Sequence, residues 1–183
     1  GAAGTAVSQI LLNFCVKDVV LCDRAGAIYT GRTDNMNPAK EKLAAATNKE
    51  RESGTLADVM KGKDVFVGVS VAGCVTKEMV ASMAPDPFVF AMANPVPEIW
   101  PDEAIEAGAA AAEDGRNINN ALGFPGIFRG ALDARARTIN EEMKLAAANA
   151  LAGKAPEGHL VPDFMDRGVH RAVADAVAEA ARQ

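Results

Sequence analysis

Residues 1–23 constrain this chain most. They read Gly-Ala-Ala-Gly-Thr-Ala, then an apolar run at helical spacing as far as Phe14, then Val19-Val20-Leu21-Cys22 closing on Asp23. This order is most of a βαβ unit of the kind that binds dinucleotides. The full fingerprint is Gly-x-Gly-x-x-Gly after a strand, with an acidic residue about 20 positions further on. Gly1 and Gly4 stand where its second and third glycines belong. The first glycine and the strand before it do not occur in the sequence. In such a unit the second glycine lets the backbone approach a pyrophosphate, and the third allows close helix–strand packing. The helix N-terminus supplies N–H groups and a partial positive charge for the phosphates. Asp23 is then a candidate acceptor for the adenosine ribose hydroxyls. A tight turn with close packing is the simpler account of Gly1 and Gly4 alone. The following strand, and Asp23 at the expected distance, favour the nucleotide reading.

With 183 residues and 49% hydrophobic content the chain can build one domain with a proper core. A single domain over residues 1–183 is expected. The net charge is −5, and no Lys/Arg cluster follows a face, which argues against nucleic acid as a partner. No apolar run reaches about 18 residues, so no membrane span is expected. Cys15, Cys22 and Cys74 lack Cys-x-x-Cys spacing and read as small buried residues in a reducing compartment. The cytoplasm is the expected location. No signal peptide is visible, and the motif opens in mid-unit, so the natural N-terminus is expected further upstream.

Residues 2–14 have helical spacing. Residues 19–22 form a continuous apolar run that fits a buried parallel strand. Asn37-Pro38 starts a helix, with proline at its first position. Thr55-Leu56-Ala57-Asp58 resembles a capping box for a short helix. Strands are expected at 64–69 and 88–93, with an edge strand at 109–112. Helices are expected at 76–83, from Pro101 to about 107, at 125–133, from a second capping box at 138–141 to 151, and at 169–181. Alternating strands and helices imply an α/β fold, a doubly wound Rossmann-type parallel sheet with helices on both faces and right-handed crossovers. Ligands of such sheets bind at the carboxyl ends of the strands. That rule selects Asp23, Ser70 and Asn94.

Two motifs stand out beyond the glycines. Asn94-Pro95-Val96-Pro97-Glu98 follows a strand end, where two prolines stop pairing and stiffen the turn. Asn94 could meet a nicotinamide ribose or a substrate carboxylate, or only tie its own turn. Asn117-Ile118-Asn119-Asn120 precedes the helix at Pro125 and could present amides to an anionic ligand, or only cap and turn. Acid–base machinery is sparse. His159 and His170 lack partners at ligand spacing and read as surface or packing residues. Glu41, Glu98, Asp102 and Asp133 are scattered, as solvated carboxylates would be. No metal-site spacing occurs.

A longer set of blocks resembles one family. They are Gly1-Ala2-Ala3-Gly4, Asp23-Arg24-Ala25-Gly26-Ala27-Ile28-Tyr29, Met36-Asn37-Pro38, Gly54-Thr55-Leu56, residues 64–70, Phe90-Ala91-Met92-Ala93-Asn94-Pro95-Val96-Pro97-Glu98, Asn119-Asn120, the run Gly-Phe-Pro-Gly-Ile-Phe-Arg-Gly-Ala-Leu-Asp at 123–133, and Ile139-Asn140-Glu141-Glu142-Met143. Together they resemble the C-terminal cofactor domain of bacterial-type malic enzymes over nearly the whole chain. The resemblance implies oxidative decarboxylation of malate to pyruvate and CO₂, with hydride transfer to NAD or NADP and a Mg or Mn ion assisting. In the family the catalytic lysine and tyrosine and the metal ligands precede the glycine motif. No catalytic or metal-binding residue is therefore expected here, and this chain alone should be inactive. What carries over is a cradle. Gly1, Ala2, Ala3 and Gly4 would hold the pyrophosphate. Asp23, with Arg24 beside it, would hold the adenosine ribose. Val69 and Ser70 would line the groove, Asn94 would contact the nicotinamide end and the substrate, and Asn119 or Asn120 would reach a malate carboxylate. A homodimer is also implied.

Two departures accompany the match. The first strand, its glycine and the catalytic N-terminal domain are absent, and a sheet without that strand would expose apolar edges. The loop between Gly115-Arg116 and Asn119-Asn120 is shorter than the family's. Asp23 favours NAD by repelling a 2′-phosphate, whereas Arg24 could accommodate one. The expectation is NAD, with NADP possible. Two other functions compete: a nucleotide-binding or assembly module without chemistry, and the cofactor domain of a different NAD-dependent dehydrogenase.

Overall fold

The computed structural model describes residues 1–14 and 16–182. The reading of Cys15 as a small buried residue falls outside them. The chain divides into two compact units, Gly1–Asp114 and Gly115–Gln183.

The first unit opens with helix α1 (Ala2–Asn13) and a short hairpin, β1 (Cys22–Asp23) against β2 (Gly26–Ala27). Helices α2 (Pro38–Ala46) and α3 (Leu56–Met60) follow. Strand β3 (Val65–Gly68), helix α4 (Lys77–Ala81), β4 (Phe88–Ala91), α5 (Pro101–Glu106) and β5 (Ala111–Asp114) then alternate. The last three strands form a parallel sheet in the order β3-β4-β5, with Gly68 opposite Ala91 and Ala91 opposite Asp114. Successive strands are neighbours, as short βαβ crossovers dictate. Phe66, Val89 and Ala91 turn inwards and share a core with Val80, Ile99 and Ala104. Val65 and Phe88 are exposed, so burial alternates along β3 and β4.

Local sequence sets most boundaries. Asn37 accepts from the Lys40 N–H at 2.9 Å and heads α2, whose first residue is Pro38. Thr55 and Asp58 form the expected capping box. Other readings need correction. Residues 19–22 are not a buried parallel strand. They are half-buried, and the chain turns back on itself at Arg24-Ala25, where the Ala25 N–H donates to Asp23 Oδ1 at 2.8 Å. Cys22 and Asp23 therefore pair antiparallel with Ala27 and Gly26. That return depends on Gly26, with φ +93°, where a Cβ would lie 2.1 Å from the Gly54 carbonyl oxygen. The edge strand lies at Ala111–Asp114, later than expected, because Gly108 (φ +105°) and Ala109 first close the end of α5. The cysteine reading also shifts: Cys22 and Cys74 are free but only half-buried.

The second unit consists of α6 (Phe124–Asp133), α7 (Glu141–Ala152) and α8 (Arg167–Ala180). Its α7 is capped by Asn140, which accepts from the Met143 N–H at 2.9 Å, and not by a box starting at Thr138. Val169, Val173 and Val177 form the expected apolar stripe of α8 and are buried. Gly126 and Gly130 allow α6 to approach α8. A Cβ at Gly126 would lie 2.6 Å from the Val173 side chain, and one at Gly130 would lie 2.4 Å from the Ala174 carbonyl oxygen.

Candidate functional site

The first unit places several of the selected residues around the carboxyl ends of β3 and β4. Val69 and Ser70 follow β3, and Met92, Ala93 and Asn94 follow β4. One side chain joins these two ends. Glu98 is completely buried. Its Oε1 accepts from the Ser70 N–H at 2.7 Å, with the Ser70 hydroxyl 3.4 Å away, and its Oε2 accepts from the Ala93 N–H at 3.0 Å. The backbone around it adds two more links: the Gly73 N–H donates to the Pro97 carbonyl at 3.0 Å, and the Val75 N–H to the Glu98 carbonyl at 3.1 Å. Reading Glu98 as a solvated carboxylate is thus corrected. A single sequence carries little signal for it, beyond the fact that an acid sits between Pro97 and Ile99, both buried. Gly68 belongs to the same arrangement, since a Cβ there would lie 2.4 Å from Glu98 Cδ.

Helix α1 reaches the same region. A Cβ on Gly4 would lie 3.5 Å from Val69 Cγ2, so the first turn of α1 sits beside the end of β3. Gly1, Ala2 and Ala3 are exposed, and nothing lies within 4 Å of a Cβ built on Gly1. The N-cap Gly1 offers no side-chain cap, and the first turn contains no acidic residue. The backbone N–H groups and the positive end of the helix dipole are therefore presented without a competing carboxylate. Ser70 and Asn94 are exposed.

Asp23, at the end of β1, sits in a charged cluster that the sequence did not suggest. Its Oδ2 accepts from Arg32 Nη2 and Lys40 Nζ, both at 2.6 Å, and from Asn35 Nδ2 at 3.2 Å. Arg32 is buried, and it also donates to the carbonyls of Gly26, Ala27 and Asp34. Burial alone would raise the Asp23 pKa. The hydrogen bonds from Arg32 and Lys40 outweigh it, and the carboxyl ends well below the usual carboxylate range. Arg24, the cation expected at this position, is exposed. Burial, with the adjacent Asp23 charge, pushes the Cys22 thiol up to about 11, so it is not a thiolate at neutral pH.

Asn119 and Asn120 belong to the second unit. Asn119 is committed locally: its Oδ1 accepts from the Ala121 N–H and its Nδ2 donates to the Arg116 carbonyl, both at 2.8 Å. Asn120 is exposed. Both line an open cavity of about 640 Å³, together with Leu122, Phe124, Phe128 and Leu151. His159 and His170 each contact a backbone carbonyl, of Glu157 and Phe164 respectively. Among the described residues no group of three His, Cys, Asp or Glu side chains could hold a metal ion. No described helix is long and apolar enough to cross a membrane.

Comparison with known proteins gives a consistent picture. Residues 101–182 match the family model described as "Malic enzyme, NAD binding domain". The chain is 53% identical to the bifunctional malic/malolactic enzyme of Bacillus subtilis, over 100% of this chain and 47% of that protein. It is 47% identical to the NADP-dependent malic enzyme of Rhizobium meliloti, over 89% of this chain and 22% of that one. The crystal structure of an NAD-dependent malic enzyme from Thermotoga maritima superposes with a TM-score of 0.91 at 38% identity, covering 96% of this chain and 48% of its own. The chain thus spans about half the length of the first of these relatives and of the solved structure, and less of the other.

Proposed function

We propose that this chain, which belongs to the NAD-binding domain family of malic enzymes, holds the nicotinamide cofactor for the oxidative decarboxylation of malate to pyruvate and CO₂. NAD or NADP supplies the hydride acceptor for that reaction. The chain's own residues bind and orient. The observation that carries this reading is the convergence of the uncapped first turn of α1 with the end of β3 through Gly4 and Val69.

The chemistry of these residues suits the cofactor. A pyrophosphate would meet the N–H groups of Ala2, Ala3 and Gly4 in the first turn of α1. Asp23 has its Oδ2 filled by three donors, while Oδ1 accepts only from Ala25 among the described residues. A carboxylate oxygen has two lone pairs, so Oδ1 is the atom assigned to an adenosine ribose hydroxyl. Exposed Ser70 and Asn94 are assigned to the nicotinamide end of the cofactor. Asn120, whose side chain is not tied into its turn as that of Asn119 is, is the better candidate for a malate carboxylate.

No residue of this chain is assigned to proton transfer or to the Mg or Mn ion. Residues 1–183 are proposed to act as one cofactor domain of a cytoplasmic homodimer, inactive on malate without the catalytic domain. The test is malate-dependent NADH or NADPH formation by the 183-residue chain alone and by a protein extended upstream to the length of the relatives. Activity only in the longer protein is the expected result. Turnover of malate by the short chain would contradict the assignment of roles.

A further inference from the structure

We infer that Glu98 is a positioning residue: its buried carboxylate sets the groove-lining loops after β3 and β4 at the spacing the cofactor requires. The inference rests on the proposed cofactor role of Ser70 and Asn94. It follows from what the carboxylate touches. One oxygen takes the backbone N–H of Ser70 itself, and the other takes that of Ala93, the residue before Asn94. A neutral apolar side chain could fill the same space but could not bind two N–H groups pointing at it from different strands. A carboxylate, with two oxygens and no hydrogens, matches two converging donors. Gly68 shows that the strand end is shaped around this group, because any Cβ there would overlap it. The carbonyls of Pro97 and Glu98 bind the Gly73 and Val75 N–H groups and hold the Glu98 backbone against the same loop. The two loops therefore shift together when the carboxylate is altered.

The experiment measures NADH affinity and thermal unfolding of the 183-residue chain and three variants, with affinity read well below the unfolding temperature. Glu98→Gln keeps size and shape but turns one acceptor into a donor facing a backbone N–H. Gly68→Ala pushes on the carboxylate from the opposite side. Thr55→Ala removes the cap of α3 and serves as a destabilised control outside the groove. The expected result is an NADH dissociation constant about tenfold higher in Glu98→Gln and Gly68→Ala, since small misplacements of binding groups are costly. Shifts of the Ser70 and Ala93 amide resonances should accompany it. Thr55→Ala should unfold earlier with unchanged affinity. Wild-type affinity in Glu98→Gln, despite a lower unfolding temperature, would overturn the inference and leave a structural role only. If Glu98→Gln does not fold, Gly68→Ala decides in the same way. Failure of the unaltered chain to bind NADH would instead remove the cofactor reading on which the inference rests.

Discussion

Asp23 shows what a single residue's neighbours do to its meaning. As a strand-end acid it is proposed as a ribose acceptor, a reading that starts from its distance to Gly1 and Gly4. Its partners Arg32 and Lys40 lie 9 and 17 residues further on and meet it only because the chain folds back at Gly26. Nothing in residue spacing announces that. The consequences are measurable. Asp23→Ala removes a ribose acceptor and leaves two cations unpaired where a 2′-phosphate would approach. NAD affinity should fall by about tenfold, while NADP affinity should hold or rise, so the preference moves towards NADP in competitive titrations. A fall in both affinities alike would contradict this. The pH dependence follows from the same bonds. The folded-state pKa of Asp23 lies below the unfolded value of about 4. Its stabilisation is therefore complete above about pH 5 and is lost as pH falls through the unfolded value towards the folded one. Acid unfolding monitored by circular dichroism should show a smaller loss over this range in Lys40→Ala, which starts with a weaker network. Glu98 is the opposite case, a carboxylate whose sequence neighbourhood looks unremarkable and whose role appears only when two strand ends converge on it.

At the scale of elements, periodicity and capping chemistry were good guides where the signal is local. The α8 stripe, the Thr55–Asp58 box and the Pro38 start needed only neighbouring residues to decide them. Apart from the cap of α7, which is Asn140 and not Thr138, misplacements arose where a tertiary contact decided. Residues 19–22 have the composition of a buried strand, but of these only Cys22 lies in a strand, paired with Ala27 of its own return segment. Residues 111–114 become a strand only after α5 has closed on Gly108 and Ala109. The two glycines of α6 make an element-scale prediction. Gly130→Ala inserts a Cβ 2.4 Å from the Ala174 carbonyl and 2.8 Å from Val177. The cost of separating α6 from α8 should exceed the intrinsic helix gain of alanine. A net loss of about 1–3 kcal/mol is expected in urea unfolding, and a stabilised variant would contradict the close approach.

For the molecule as a whole, three parallel strands flanked by helices reproduce the malic enzyme cofactor fold at a TM-score of 0.91. The alternation of strands and helices from β3 to β5 was legible in the sequence. The division of the chain into two compact units was not, because periodicity describes elements and not how they cluster. The chain spans about half the length of the Bacillus relative, and the proposed division of labour gives cofactor binding to this chain and proton transfer to residues outside it. The most direct test of that division of labour is a calorimetric titration of NADH into the folded 183-residue chain. Saturable binding of one NADH per chain, displaced by NAD and by NADP, is the predicted result. A chain that unfolds cooperatively, and so is folded, yet takes up none of the three would contradict its assignment as the cofactor-holding part.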